Sequence, residues 1–175
     1  MKKITLLIIL LLSAVCHAQM KSGKDVFDTA RYGTVAEMKQ LEAKDKNIIN
    51  SVSPMGFTPL ILACYRGNTE VAEYLAKHVK DINYKSDNGT ALAAAAVKGD
   101  INMAKVLLEN KADPNIADPL GVTPLVYAVQ FENTELIKLL LEYKASKTHK
   151  DKEGRTPLDY ADFTKNQEVI NLLKN

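Results

Sequence analysis

Outside the first eighteen residues the chain has two histidines, His78 and His149, and one cysteine, Cys64. These side chains are best suited to proton transfer or nucleophilic attack near neutral pH. An enzyme needs such groups to converge, and here they are scattered. No HExxH, CxxC, GxSxG or P-loop spacing occurs, and no glycine-rich stretch could cradle a phosphate. Cys64 follows Ala63 among small apolar residues, with only Arg66 nearby as a charge. A reactive thiol requires an electropositive, exposed setting, so an inert buried one is expected. Asp113 and Asp118 flank Pro114 and Asn115 and superficially suggest an oxygen-ligand cation site. Calcium loops need about six or more oxygens at regular spacing, and this segment recurs as an ordinary connector. The mixed charges at 42–46 and 147–152 read as solvated surface. No catalytic residue, metal site or cofactor is expected.

The elements around these residues are written in a repeating phrase. Gly56-Phe57-Thr58-Pro59-Leu60 is followed by Gly89-Thr90-Ala91-Leu92, Gly121-Val122-Thr123-Pro124-Leu125 and Gly154-Arg155-Thr156-Pro157-Leu158. The four leucines stand 32, 33 and 33 residues apart. A period of this size means stacked supersecondary units rather than one globular core. Thr58, Thr90, Thr123 and Thr156 stand where helix N-caps belong, and Pro59, Pro124 and Pro157 at the first helical position, where a missing N–H costs nothing. Leu60 with Ala63, Leu92 with Ala95, Leu125 with Ala128 and Leu158 with Ala161 give each short helix an apolar stripe. Gly67 and Gly99 end two of these helices; Glu132 and Lys165 replace glycine in the other two. Asn68, Asp100, Asn133 and Asn166 are expected to cap a second helix. Its apolar face reads Val71, Tyr74, Leu75, then Met103, Val106, Leu107, then Leu136, Leu139, Leu140, then Val169, Leu172, Leu173. Asp81-Ile82-Asn83 and Asp113-Pro114-Asn115 lead out to the next turn.

Helix, tight turn, helix and β-turn finger, written as GxTPLxxA with a later LL and a D-x-N exit, resembles the ankyrin repeat. The likeness covers 53–174 with four recognisable units. The histidine common after TPL is absent, and the GAD-type ending survives only in part, as Lys111-Ala112-Asp113 and Lys144-Ala145-Ser146. A fifth, diverged unit is expected at the N-terminal end, with a first helix over 25–32, Gly33 at the turn and a second helix opening at Thr34, with Met38 and Leu41 inward. The expected architecture is an all-α repeat solenoid over 25–175, with units at 25–52, 53–85, 86–117, 118–150 and 151–175. Each unit contacts only its neighbours. Lys165, Gln167, Asn171 and Lys174 give the last unit the polar outer surface of a cap, and a monomer is expected.

The first eighteen residues read differently. Lys2-Lys3 precede an unbroken apolar run over 4–12, which trails to Cys16-His17-Ala18 before Gln19. This is the pattern of a cleaved signal peptide, too short to span a bilayer, which takes about 20 apolar residues. Export with cleavage after Ala18 is expected, to the periplasm or to full secretion, with 19–24 as a disordered leader. Lipidation at Cys16 is an alternative, although Val15 fits a lipidation box poorly. The full chain has 23 basic and 21 acidic residues; loss of Lys2 and Lys3 leaves 21 of each. No clustered basic surface remains to neutralise nucleic-acid phosphates. Once Cys16 leaves with the leader, Cys64 has no partner for an internal disulfide.

The resemblance implies a protein partner held by finger tips and by exposed residues of the inner, concave helices. At the finger tips stand Met55, Phe57, Leu120, Val122 and Arg155. At the ends of the first helices stand Tyr32, Tyr65, Arg66, Val97, Lys98, Gln130, Phe131 and Phe163. Tyr32, Tyr65, Val97, Phe131 and Phe163 are expected to form one continuous stripe. A contiguous exposed apolar patch marks an interaction site, and Tyr and Arg are enriched at binding hot spots. The function expected is non-enzymatic binding that regulates or protects a partner protein. A toxin-immunity inhibitor, a host-directed effector, a self-assembling protein and a small-molecule binder are the alternatives.

Overall fold

The computed structural model describes residues 24–174. The expected signal peptide and residues 19–23 of the expected leader lie outside that range; Lys24, the last residue of that expected leader, places its Nζ 3.5 Å from Glu37. Ten α-helices are present among the described residues, with no extended strand. They come in pairs: α1 (Val26–Tyr32) with α2 (Val35–Lys44), α3 (Pro59–Arg66) with α4 (Thr69–His78), α5 (Ala91–Lys98) with α6 (Ile101–Glu109), α7 (Pro124–Gln130) with α8 (Thr134–Glu142), and α9 (Pro157–Thr164) with α10 (Gln167–Lys174). The first helices pack in the order α1, α3, α5, α7, α9, and the second helices form a parallel layer, α2 to α10. The result is a two-layer, all-α solenoid of five units. No described helix is long and apolar enough to cross a membrane.

Local sequence accounts for each helix. The hydroxyls of Thr58, Thr90, Thr123 and Thr156 accept from the backbone N–H of Ile61, Ala93, Val126 and Asp159. Asp25 and Thr34 cap the diverged first pair, Thr34 in a reciprocal capping box with Glu37. α3 and α5 end on Gly67 and Gly99 at φ of 73° and 65°. Glu132 and Lys165 are forced into the same left-handed region, at 53° and 59°, where a side chain costs about 1–2 kcal/mol. Lys111 and Lys144 do the same after α6 and α8. There the following N–H groups close the helix: Ala112 donates to Leu107 and Ala145 to Leu140, both at 2.9 Å.

Between the layers, Ala63, Ala95, Ala128 and Ala161 are fully buried, and the missing side-chain bulk lets the second helices approach. Val71, Leu75, Met103, Leu107, Leu136 and Leu140 fill the gap, while Tyr74, Val106, Leu139 and Leu172 are only partly covered. Lys165, Gln167, Asn171 and Lys174 are exposed at the C-terminal end. The one second-helix cap that departs from expectation is Asn68. Asp100, Asn133 and Asn166 each accept from their own helix. Asn68 instead donates its amide to the carbonyls of Ala30 and Gly33, at 3.1 and 3.0 Å. It ties α4 to the diverged first unit, whose turn lacks a left-handed glycine: Gly33 has φ −92°.

The D-x-N exits form a second tie. Asp81 and Asp113 accept from the N–H of Asn83 and Asn115, each at 2.8 Å. Each asparagine then reaches the next unit. Asn83 accepts from Asp113 N–H at 2.8 Å and donates to the Lys111 carbonyl; Asn115 accepts from Ser146 N–H at 2.7 Å and donates to the Lys144 carbonyl. Asp113 therefore works as a turn residue.

Candidate partner-binding face

The fingers are tight hairpins built on Ser53, Ser86, Asp118 and Asp151, all buried. The serines close their own loops: Ser53 accepts from Phe57 N–H at 3.1 Å, and Ser86 donates to the Gly89 carbonyl at 2.9 Å. The aspartates do more. One oxygen of Asp118 accepts from Leu120 and Val122 N–H, and the other from the Tyr127 hydroxyl at 2.6 Å. Asp151 repeats this with Glu153 and Arg155 N–H and with the Tyr160 hydroxyl at 2.5 Å, and adds Arg155 Nε at 2.9 Å. A buried carboxylate stays charged only when its lone pairs are filled. The Tyr160 hydroxyl, above all, holds Asp151 well below the usual carboxylate range, backed by backbone N–H groups and Arg155. Burial and the bond to Asp151 push Tyr160 up to about 12. Burial and Asp118 likewise raise Tyr127. Asp118 is therefore a finger clasp, and both aspartates belong to the scaffold.

Two hollows open between the fingers and the first helices. The first, about 250 Å³, lies against Met55, Phe57, Leu62, Tyr65 and Arg66, with Arg31 and Asn88 at its rim. The second, about 260 Å³, is walled by Leu120, Val122, Tyr127 and Tyr160, with Gln130, Lys152, Glu153 and Arg155 around it. The expected residues Met55, Phe57, Tyr65 and Arg66 thus gather in one place, and Leu120, Val122, Gln130 and Arg155 in another.

The large apolar side chains expected at the surface are mostly there. Tyr32, Met55, Tyr65, Leu120, Phe131 and Phe163 are exposed, from 53% for Tyr65 to 73% for Phe163. Arg66, Lys98 and Gln130 are exposed as well; Phe57 and Val97 are half-buried. Val122 is a correction. It is 7% exposed, because its N–H and carbonyl both close the Asp118 hairpin and turn its side chain inward. Arg155 is half-buried, ion-paired to Asp151 and Glu153 at 2.9 Å each, and lies 4.7 Å from the Tyr160 ring centroid.

The single aromatic stripe also needs revision. Tyr65, Val97 and Phe163 stand seven residues after their cap threonines, and Gln130 is the equivalent in the fourth unit. Phe131 stands eight after, in register with Arg66 and Lys98. Adjacent helical positions differ by about 100°, so the residues fall in two rows. Phe131 lies past the end of α7, and neither it nor Tyr32, Val97, Lys98 or Phe163 lines either hollow. Sequence reasoning missed Leu62, Tyr127 and Tyr160. Their signal was present: each stands four residues after its cap threonine, on the face turned to the finger.

The residues suited to catalysis do not assemble. His78 stacks on Tyr74 at 4.2 Å between centroids, and His149 Nε2 lies 3.1 Å from the Gly121 carbonyl. Cys64 is buried, which raises its thiol strongly, with Asp100 adding to the effect. Among the described residues no group of three or more His, Cys, Asp or Glu could hold a metal ion.

Comparisons with known proteins agree with the fold. A family model for ankyrin repeats, three copies, matches residues 26–118 and 111–175. The rat ankyrin repeat and SAM domain-containing protein 6 is 31% identical over 122 residues, 67% of this chain and 14% of that protein. The mitochondrial liver isoform of glutaminase from rat is 35% identical over 98 residues, 55% of this chain and 15% of that protein. The mouse protein fem-1 homolog A-like is 34% identical over 83 residues, 47% and 12% respectively. This chain thus spans about one seventh of the length of these two rat relatives and less than a quarter of the others it matches. Ankyrin repeats are protein–protein interaction modules, generally without catalytic activity of their own. On the match of its described residues to that model, from Val26 to the last helix, the chain belongs to the ankyrin-repeat family.

Proposed function

We propose that this protein is an exported, non-enzymatic module that binds another protein through its finger tips and inner helices, and so regulates or protects it in the periplasm. The observation that carries the binding reading is the content of the positions the scaffold leaves free. Met55, Tyr65 and Leu120 hold no helix together, yet large apolar side chains stand exposed there beside two hollows. Polar groups could serve at such positions, and it is the gathering of apolar ones beside a hollow that marks an interaction site. The buried carboxylates, by contrast, are consumed in clasping the fingers. Export rests on the basic start and apolar run of residues 2–12. The polar surface of α10 supports a monomer.

Affinity capture tests the binding reading. The purified protein is the bait against an envelope extract, with the Tyr65→Ala, Leu120→Ala variant as control. One protein retained by the wild type and lost by the variant supports it. Equal retention by both moves the site off this face. Mass spectrometry of the processed chain tests export: a start at Gln19 in the periplasmic fraction is expected, and an intact leader in the cytoplasm refutes it.

A further inference from the structure

The two hollows differ in charge. α1, α3 and α5 each carry a cation in the last turn, Arg31, Arg66 and Lys98. α7 and α9 carry none. A cation at a helix C-terminus complements the helix dipole, but that effect does not direct two guanidiniums to one cavity, and both Arg31 and Arg66 border the first hollow. Arg31 is paired with Asp28 at 3.2 Å. Arg66 is exposed, has no ion-pair partner among the described residues, and lies 5.5 Å from the Tyr32 ring centroid. No carboxylate lines this hollow; Asp87 is exposed on the same finger as Asn88 but is not part of the wall. The second hollow is balanced internally, because Arg155 is bound to Asp151 and Glu153.

We propose that the first hollow anchors a segment of the partner in which a bulky apolar side chain stands next to an aspartate or glutamate. The inference rests on the protein-binding reading above and names the chemistry of its partner. A cavity of about 250 Å³ falls below the usual range for a drug-sized ligand, roughly 300–1,000 Å³, and suits one or two side chains. The apolar side chain packs on Met55, Phe57 and Leu62. The adjacent carboxylate accepts a two-pronged pair from the Arg66 guanidinium, which lies over the Tyr32 ring. A basic segment meets the unpaired Arg66 and is disfavoured by like charge, while Arg31 is already paired with Asp28.

The test is selection of random peptides displayed on phage against the purified protein, followed by titration of the winners by fluorescence anisotropy. Enriched peptides should share a bulky apolar residue beside Asp or Glu. Arg66→Glu should weaken them by about tenfold or more, the scale of a hot-spot loss, and should improve binding of the same peptides with Lys in place of the acid. Both Arg66→Glu and the milder Arg66→Gln should keep the wild-type helical circular dichroism, since the side chain is exposed. Basic or uncharged winners, no enrichment, or affinity unchanged by both Arg66 variants would overturn the proposal. Winners that respond to Leu120→Ala and not to Arg66→Glu leave the face in place and remove this hollow as the anchor. Winners that respond to neither remove both.

Discussion

Gly121 and Gly154 occupy equivalent finger positions, and alanine at each should have unequal effects. Both are left-handed, at φ of 84° and 80°. A side chain there costs about 1–2 kcal/mol, partly offset by about 0.4–1 kcal/mol because the unfolded chain loses freedom. At Gly154 a Cβ meets nothing within 4 Å, so Gly154→Ala should lose about 1 kcal/mol. At Gly121 the Cβ would lie 2.8 Å from Asp151 Cα and 2.9 Å from Lys152 N. Both atoms are backbone, and Lys152 N–H donates to the Leu120 carbonyl at 3.0 Å, so neither can swing away as a side chain would. Overpacking adds about 1–3 kcal/mol, for a total near 2–4 kcal/mol. Urea unfolding followed by circular dichroism measures both, provided the slopes match the wild type. Losses equal within about 0.5 kcal/mol would refute the close approach of the last two fingers, and with it the wall of the second hollow.

Leu107→Ala removes a fully buried side chain of α6 and should cost about 2–5 kcal/mol in the same assay; an unmoved midpoint would contradict the repeat register. Asp151 has its pKa depressed in the folded state, so its stabilisation is present above the unfolded carboxylate value, about 3.9, and is lost as pH falls below it. Asp151→Asn should therefore flatten the acid limb of stability against pH, and a limb as steep as wild type would mean that the clasp is not charged. Tyr160 works in the opposite sense: its folded value, about 12, lies above the unfolded value near 10, so its contribution is present below about 10 and lost as pH rises towards 12. Tyr160→Phe should remove that alkaline loss. Cys64, buried with a raised thiol, should react with Ellman's reagent only as fast as the stack opens, and a burst of labelling in native buffer would show it to be accessible.

The frame of the molecule was legible because its signals are local. A threonine followed by proline, a leucine with an alanine three residues on, and a glycine at the turn each act within a single helix. Glu132 and Lys165 could be placed in the turn only because the period demanded it. What escaped detection depends on contacts between elements. Tyr127 and Tyr160 drew no reading from the sequence, Asp151 fell within a charged run that reads as solvated surface, and Asp118 read as part of an ordinary connector; the bonds joining them become visible only once helix and finger are folded together. Val122 was read as a tip residue, but the Asp118 clasp folds the hairpin over it. Phe131 was counted by its closeness to the turn, and one residue of offset carried it to a different face. Asn68 had the right type for a cap, yet its amide found two carbonyls in the first unit, where a divergent turn left them free.

The asparagine ties have a kinetic consequence. Asn68 reaches Ala30 and Gly33, Asn83 reaches Asp113, and Asn115 reaches Ser146, so each spans about one unit of chain. The packed helix pairs described above likewise belong to one unit or to adjacent units. For these ties and helix pairs, loop closure stays within two neighbouring units. Folding speed then depends on the best neighbouring pair rather than on total length. A chain delivered from its N-terminal end can bury each interface as soon as the next thirty or so residues arrive, without waiting for the last helix.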